Sequence, residues 1–305
     1  MTFPMTFSAE VAAARAAGTP IVALESTIIT HGMPFPQNVQ TARIVEQDVR
    51  DGGATPATIA VMNGALHIGL EADQLDGLGQ ATDVAKLSRA DIAACIAMGG
   101  TGATTVAATM IAAHLAGIHV FATGGIGGVH RGAETSFDIS ADLNELAHTP
   151  VTVVAAGAKA ILDLEKTYEV LETLGVPVIT YGQDMLPAFW SAASDMASPL
   201  RMDTATQIAS AQITRTAMGL SGGQLICNPI PLDAQIPAEV LAPVIAQALS
   251  EADAQSINAK LVTPFLLGRI FELTEGRSLV ANIALVRNNA VLAAKIAGEM
   301  VKQSG

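Results

Sequence analysis

Positive charge is what this sequence has least of. Its 305 residues hold six lysines and ten arginines against 28 acidic residues, a formal net charge of −12. Phosphate contacts need a basic stripe, so a nucleic-acid binder is excluded. Aromatic residues are also scarce, at 4%, although half the chain is hydrophobic. The apolar mass is therefore alanine, valine, isoleucine and leucine, the material of packed helices and buried parallel strands. The two cysteines, Cys95 and Cys227, are far apart, which excludes a secreted disulfide framework and a CxxC metal site. Low charge with high hydrophobicity excludes general disorder. Between Asp91 and Arg131 there is no charged residue at all. A membrane span needs about 18 or more uninterrupted apolar residues. Here glycines, threonines, His114 and His119 break the run, so it reads as buried loop, helix and strand. The N-terminal residues lack the basic-then-apolar order of a signal peptide. A cytoplasmic protein without a membrane partner is expected.

What is present is alternation. Short β-branched runs predict strands at Ile21–Leu24, Thr58–Met62, His119–Thr123, Val151–Ala155, Pro177–Tyr181 and Leu225–Asn228. Longer Ala/Leu-rich stretches predict helices at Ser8–Ala17, Asn38–Asp51, Arg89–Ala97, Thr104–Ala116, Ala160–Leu174, Thr204–Met218, Pro237–Gln255, Pro264–Leu273 and Leu279–Lys302. This order implies a layered α/β/α domain with a mainly parallel central sheet. Beyond about Pro231 the chain reads as a helical part, packed as a cap or edge. One domain over residues 1–305 is expected, with ample length for a core. Ligands in such folds sit at the carboxyl ends of strands.

Five places carry unusual chemistry there. Glu25 follows the first apolar strand, as a general acid or base or as a solvated strand-end acid. Gly102, Thr104 and Thr105 open a predicted helix whose N-terminus suits a phosphate, or is simply capped. Lys86 precedes it and offers a cation. Gly124 to Gly132 form a glycine-rich loop that admits a ligand to the backbone and ends in His130 and Arg131. The dinucleotide fingerprint fails there, because His130 takes the third glycine position. Asp138, Ser140 and Asp142 cluster within five residues. Asp142 with Glu145 resembles a capping box; alternatively one aspartate holds a hard cation, Mg²⁺ or Mn²⁺ rather than Zn²⁺, and the other moves a proton. Lys159 follows a strand and a small-residue turn with no acid within three residues on either side. A desolvated amine can attack a carbonyl-level carbon, although a lysine can also snorkel to solvent. Together these favour chemistry on a phosphorylated small molecule.

The motifs Ala23 to Ile29, His31 to Asn38, Gly102 to Val106, Gly124 to Gly132, Phe137 to Leu143, Ala156 to Lys159, Asn228 to Pro231, Thr263 to Leu267 and Asn282 to Ala290 occur in one order along the chain. In them the sequence resembles the pseudouridine-5′-phosphate glycosidase family, also called indigoidine synthase A-like. The resemblance implies reversible cleavage of the C–C bond of pseudouridine 5′-phosphate to uracil and ribose 5-phosphate, through a lysine Schiff base on a ring-opened sugar. It implies Lys159 as the nucleophile, Glu25 as the proton donor and Asp142 as a second proton-transfer group. Asn282 matches an active-site amide that assists ring opening. Asp138 matches the carboxylate associated with Mn²⁺. Lys86, Val106, Ser140, Ala141 and Asp142 match substrate-binding positions, with Thr105 in the anion seat and His130 a base or phosphate contact. A homotrimer is also implied. Two departures from the pattern stand out: Gly100-Thr101 in place of Lys-Asn, and a bulkier aromatic at Phe189-Trp190. A class I aldolase-like lyase using Lys159 on another sugar phosphate and a non-catalytic sugar-phosphate sensor are the competing readings.

Overall fold

The computed structural model describes residues 3–255, 257 and 262–304. Its strands are β1 (Met5–Phe7), β2 (Ile21–Leu24), β3 (Thr55–Met62), β4 (Ala65–Ile68), β5 (Ala85–Leu87), β6 (Gly102–Thr104), β7 (Val120–Ala122), β8 (Thr152–Ala155), β9 (Val178–Tyr181), β10 (Leu200–Met202) and β11 (Gln224–Cys227). Its helices are α1 (Ala9–Ala17), α2 (Thr27–Thr30), α3 (Gln37–Asp51), α4 (Ala72–Gln80), α5 (Ile92–Ala97), α6 (Val106–Leu115), α7 (Ala133–Ser136), α8 (Ala141–His148), α9 (Leu164–Thr173), α10 (Ala205–Ala217), α11 (Ala238–Ala254), α12 (Val262–Leu273) and α13 (Arg277–Ser304).

The sheet runs β1-β4-β3-β2-β7-β8-β11-β9-β10, with β6 and then β5 attached to β3 off this path. From β3 through β2, β7, β8, β11 and β9 to β10 every pair is parallel. That is the expected mainly parallel α/β architecture. The antiparallel pairs, β3 with β4 and β3 with β6, both use the second half of β3. The first half of β3 pairs with β2 and contains Pro56. A proline has no N–H to donate and fits where one side of a strand is unpaired. This proline hides the strand's first residues from propensity, so the expected start at Thr58 is three residues late. The three-residue strands β1, β5, β6 and β10 and the hairpin strand β4, none of them expected, are too short to show a period; β7 is equally short and is legible only through the β-branched run around it.

Helices flank the sheet in two groups. In one, α13 packs with α3 and α10 over β2, β7 and β8; in the other, α6 packs with α8 over β7 and β2. The expectation that the helical C-terminal part forms a cap or edge is corrected for its last helix. α13 crosses the middle of the sheet, and Ala281, Leu285, Ala290, Ala293 and Ile296 are buried. Its length and composition would suffice to cross a membrane, but this apolar face is packed on the sheet. Two asparagines tie it to the strand ends. Asn289 Nδ2 donates to Thr123 O at 2.8 Å, and its Oδ1 accepts from Asn228 Nδ2 at 3.0 Å. Asn288 Nδ2 donates to Pro229 O at 2.9 Å.

Three local expectations change. The helix placed at Thr104 opens at Val106, because Thr104 belongs to β6 and its hydroxyl donates to Ile59 O. The helix placed at Ala160 opens at Leu164, where Asp163 caps it. Asp142 and Glu145 form no capping box: Ser140 is the N-cap of α8, and both acids lie inside the helix. Glu145 instead pairs with Arg89 at 2.7 Å.

Candidate active site

At the carboxyl ends of β2, β7 and β8 the chain leaves a cavity of about 720 Å³. Glu25, Lys86, Thr105, Val106, His130, Asp138, Ser140, Asp142, Lys159 and Asn282 all line it. Ala141 is the expected residue that does not; it is the first residue of α8, and its neighbours on either side face the cavity instead.

Lys159 is placed by backbone register. Past the strand ends, the glycine loop after β7 and the turn after β8 continue side by side. Ala156 N–H donates to Gly124 O, Ile126 N–H to Gly157 O and Lys159 N–H to Ile126 O, at 2.9–3.1 Å. This turn requires glycine at 157, where φ is +85° and a Cβ would stand 2.7 Å from Tyr168 Oη. The Lys159 side chain is half-buried, and its amine has no ion-pair or hydrogen-bond partner among the described residues. Glu25, one residue past β2, accepts hydrogen bonds from the hydroxyls of Thr27 and Thr123.

Asp142 ties two elements together. Its Oδ2 accepts from Gly127 N–H at 2.8 Å and its Oδ1 from Ala107 N–H at 2.9 Å. Gly127 approaches so closely that a Cβ would lie 2.3 Å from Ser140 Oγ. The same bonds narrow the anion seat at the start of α6. Ala107 N–H goes to Asp142 and Ala108 N–H to the capping hydroxyl of Thr105. The N–H of Val106 has no protein acceptor among the described residues, and Val106 lines the cavity. Lys86, in the middle of β5, lines the same space.

Burial holds the His130 imidazole below the usual histidine range; the charge of Asp138 opposes this, and those of Lys159 and Lys86 add to it. His130 is therefore neutral near pH 7, with one ring nitrogen able to accept. Partial burial and then the charge of Lys86 depress His31 as well. His31 lines the cavity and lies 2.5 Å from Thr30 Oγ1. Sequence reasoning quoted His31 and gave it no role; its only signal was its place six residues after Glu25. Phe189 and the α12 residues Pro264, Leu267 and Phe271 form apolar wall; Phe189 and the motif holding Pro264 and Leu267 stand out in the sequence, whereas nothing there marks Phe271. Trp190 is buried behind Phe189 and donates to Asn282 Oδ1. Cys227 is no nucleophile, because burial pushes its thiol up to about 12.

Among the described residues no three His, Cys, Asp or Glu side chains cluster as a metal cage. Asp138 offers one half-buried carboxylate on the cavity wall. A single carboxylate with retained waters fits a hard divalent cation, and not Zn²⁺.

The model of the family described as indigoidine synthase A like protein matches residues 10–299. Proteins named pseudouridine-5′-phosphate glycosidase are similar over nearly the full length. The one from Jannaschia sp. (strain CCS1) is 70% identical over 97% of this chain and 98% of its own. The one from Roseobacter denitrificans is 71% identical over 98% of this chain and 96% of its own. Among solved structures, the prealnumycin C-glycosynthase AlnA in complex with ribulose 5-phosphate superposes with a TM-score of 0.92 at 36% identity, covering 100% of this chain and 99% of that one. An indigoidine synthase A-like protein from Thermotoga maritima gives 0.89 at 30% identity, with 98% and 97% covered. On the family match and these full-length identities, the chain belongs to the indigoidine synthase A like family.

Proposed function

We propose that this chain cleaves the C–C glycosidic bond of pseudouridine 5′-phosphate, reversibly and with uptake of water, to uracil and ribose 5-phosphate. The observation that carries this reading is a lysine amine without an ion-pair or hydrogen-bond partner among the described residues, Lys159, lining one cavity with the carboxylate of Glu25. The name shared by relatives about 70% identical supports the substrate.

Uracil leaves as a carbon, a far poorer leaving group than the glycosidic oxygen that a carboxylate pair protonates. A lysine solves this. The Lys159 amine bonds to the anomeric carbon as the ring C–O bond breaks, and the released sugar oxygen takes a proton. The nitrogen lone pair then forms the C=N bond while the C–C bond breaks. That electron pair goes to uracil, whose carbon takes a proton from Glu25. Water hydrolyses the imine, freeing ribose 5-phosphate and Lys159. Asn282 faces the sugar, Lys86 and the Val106 N–H hold the phosphate with Thr105 and Ser140 beside it, and neutral His130 either accepts a proton at one ring nitrogen or donates its N–H to the phosphate. Asp142 keeps the seat in shape and is the second proton-transfer group. Asp138 would hold Mn²⁺ through retained waters, and that ion supplies positive charge next to the substrate. The main core, which draws on residues from Val11 to Met300, supports one domain. Buried, unpaired cysteines fit the cytoplasm, and a homotrimer is the assembly proposed.

The test is uracil release from pseudouridine 5′-phosphate, run beside uridine 5′-phosphate. Turnover of the first alone is expected; equal turnover of both contradicts the C–C assignment. Lys159→Ala should abolish release and also prevent the borohydride-trapped adduct with ribose 5-phosphate, with the fold intact. A trapped adduct without uracil release would favour the aldolase-like lyase. Tight ribose 5-phosphate binding without an adduct would favour a sensor. Chelation should lower the activity and Mn²⁺ restore it.

A further inference from the structure

Trp190 is the only tryptophan in the chain and is 1% exposed. Its indole nitrogen lies 2.7 Å from Asn282 Oδ1. An indole N–H only donates, so its partner must be the carboxamide oxygen and not the nitrogen. That settles which way the Asn282 amide faces. The oxygen is turned to Trp190, and the NH₂ group has no protein acceptor among the described residues. Asn282 lines the cavity, so the group left for a ligand there is a donor.

Trp190 is itself firmly held. Ile236 N–H donates to Trp190 O at 2.8 Å, and Ala188 N–H donates to Ser191 O at 3.0 Å. Its ring meets Phe189 edge-on, with centroids 5.0 Å apart and planes at 63°. Phe189 N–H in turn donates to Ala156 O at 3.1 Å, in the turn that ends at Lys159. The main chain that carries Trp190 is therefore anchored to the same turn that places Lys159.

We infer that Trp190 is a positioning residue. It locks Asn282 as an obligate hydrogen-bond donor toward an oxygen of the bound sugar. This rests on the proposed sugar-phosphate chemistry: a donor stabilises the oxygen released as the ring opens, whereas a flipped amide would present a lone pair to it.

The lone tryptophan makes the test direct, because the ¹⁵N-labelled full chain has one indole resonance. Its N–H should exchange slowly with solvent in the wild type and in Asn282→Asp, which keeps the oxygen, and quickly in Asn282→Ala. Uracil release should fall as far in Asn282→Asp as in Asn282→Ala, since both lack the donor. Trp190→Phe should lower kcat about tenfold, the factor of one hydrogen bond of ordinary strength, with KM changed less than twofold. In the Asn282→Ala background the same change should have no further effect. Equal indole exchange in wild type and Asn282→Ala, full activity of Asn282→Asp, or the same loss from Trp190→Phe in both backgrounds would overturn the inference. If Trp190→Phe does not fold, the Asn282 variants still decide through the indole signal. A wild type that releases no uracil counts against the proposed reaction, while indole exchange continues to report the amide's orientation.

Discussion

Asp142 shows what a single residue contributes to the site. Both of its oxygens accept backbone N–H groups, one from the glycine loop and one from the start of α6. Asn in its place would aim an NH₂ at one of those N–H groups inside a buried site. Asp142→Asn is expected to cost about 1–3 kcal/mol of unfolding free energy, measured by urea titration, because one buried donor loses its acceptor. Its kcat/KM should fall by more than the loss of folded protein explains. As a chemistry-bearing residue Asp142 was legible: Asp138, Ser140 and Asp142 fall within five residues just past the glycine-rich loop. Its partners were not, since they lie 15 and 35 residues away. Lys159 was legible through scarcity. Lys86 and Lys159 line the cavity, while Lys166 and Lys302 make exposed ion pairs. Lys295 is exposed on α13, and Lys260, read as a surface helical residue, lies outside the described residues.

Elements meet at the strand ends, and two substitutions test those junctions. Asn289 is fully buried and joins α13 to β7 and β11. Asn289→Ala leaves Thr123 O and the Asn228 amide without that partner. A loss of about 2–3 kcal/mol in chemical denaturation is expected. At Gly125 a Cβ would come within 2.6 Å of the Phe189 ring and 3.1 Å of Gly157 O. Gly125→Ala should push the ring aside at a cost of about 1–3 kcal/mol. Uracil release should also drop, because the Phe189 turn carries the Asn282 contact. The long elements were readable because each repeats a period several times. Edge strands of three residues repeat nothing; they exist because a neighbouring edge is available, as β6 does beside β3.

Acid should destabilise the whole molecule earlier than a fully exposed chain would suggest. Burial holds His67 and His130 below the ordinary histidine range. Their unfolded forms bind protons near pH 6.5 while the folded forms do not. Stability therefore falls as the pH drops from about 7 through 6.5 toward the lower folded values. Glu46, raised chiefly by burial, opposes this only nearer the carboxylate range. Calorimetry should show Tm decreasing between pH 7.5 and 6, with a shallower slope in His67→Gln, which lies outside the cavity. At this scale the sequence by itself determined the class: too little charge for nucleic acid, the strand–helix alternation of a parallel sheet, and motifs dense enough to name a family. Those properties belong to residues close together in the chain. Tertiary structure alone decided that α13 crosses the sheet, that Ala141 lies off the cavity and that His31 lies on it. It also decided that Trp190 orients Asn282 across 92 residues of sequence. Each of these depends on contacts between distant segments, and only packing around a common core brings such segments within hydrogen-bond reach.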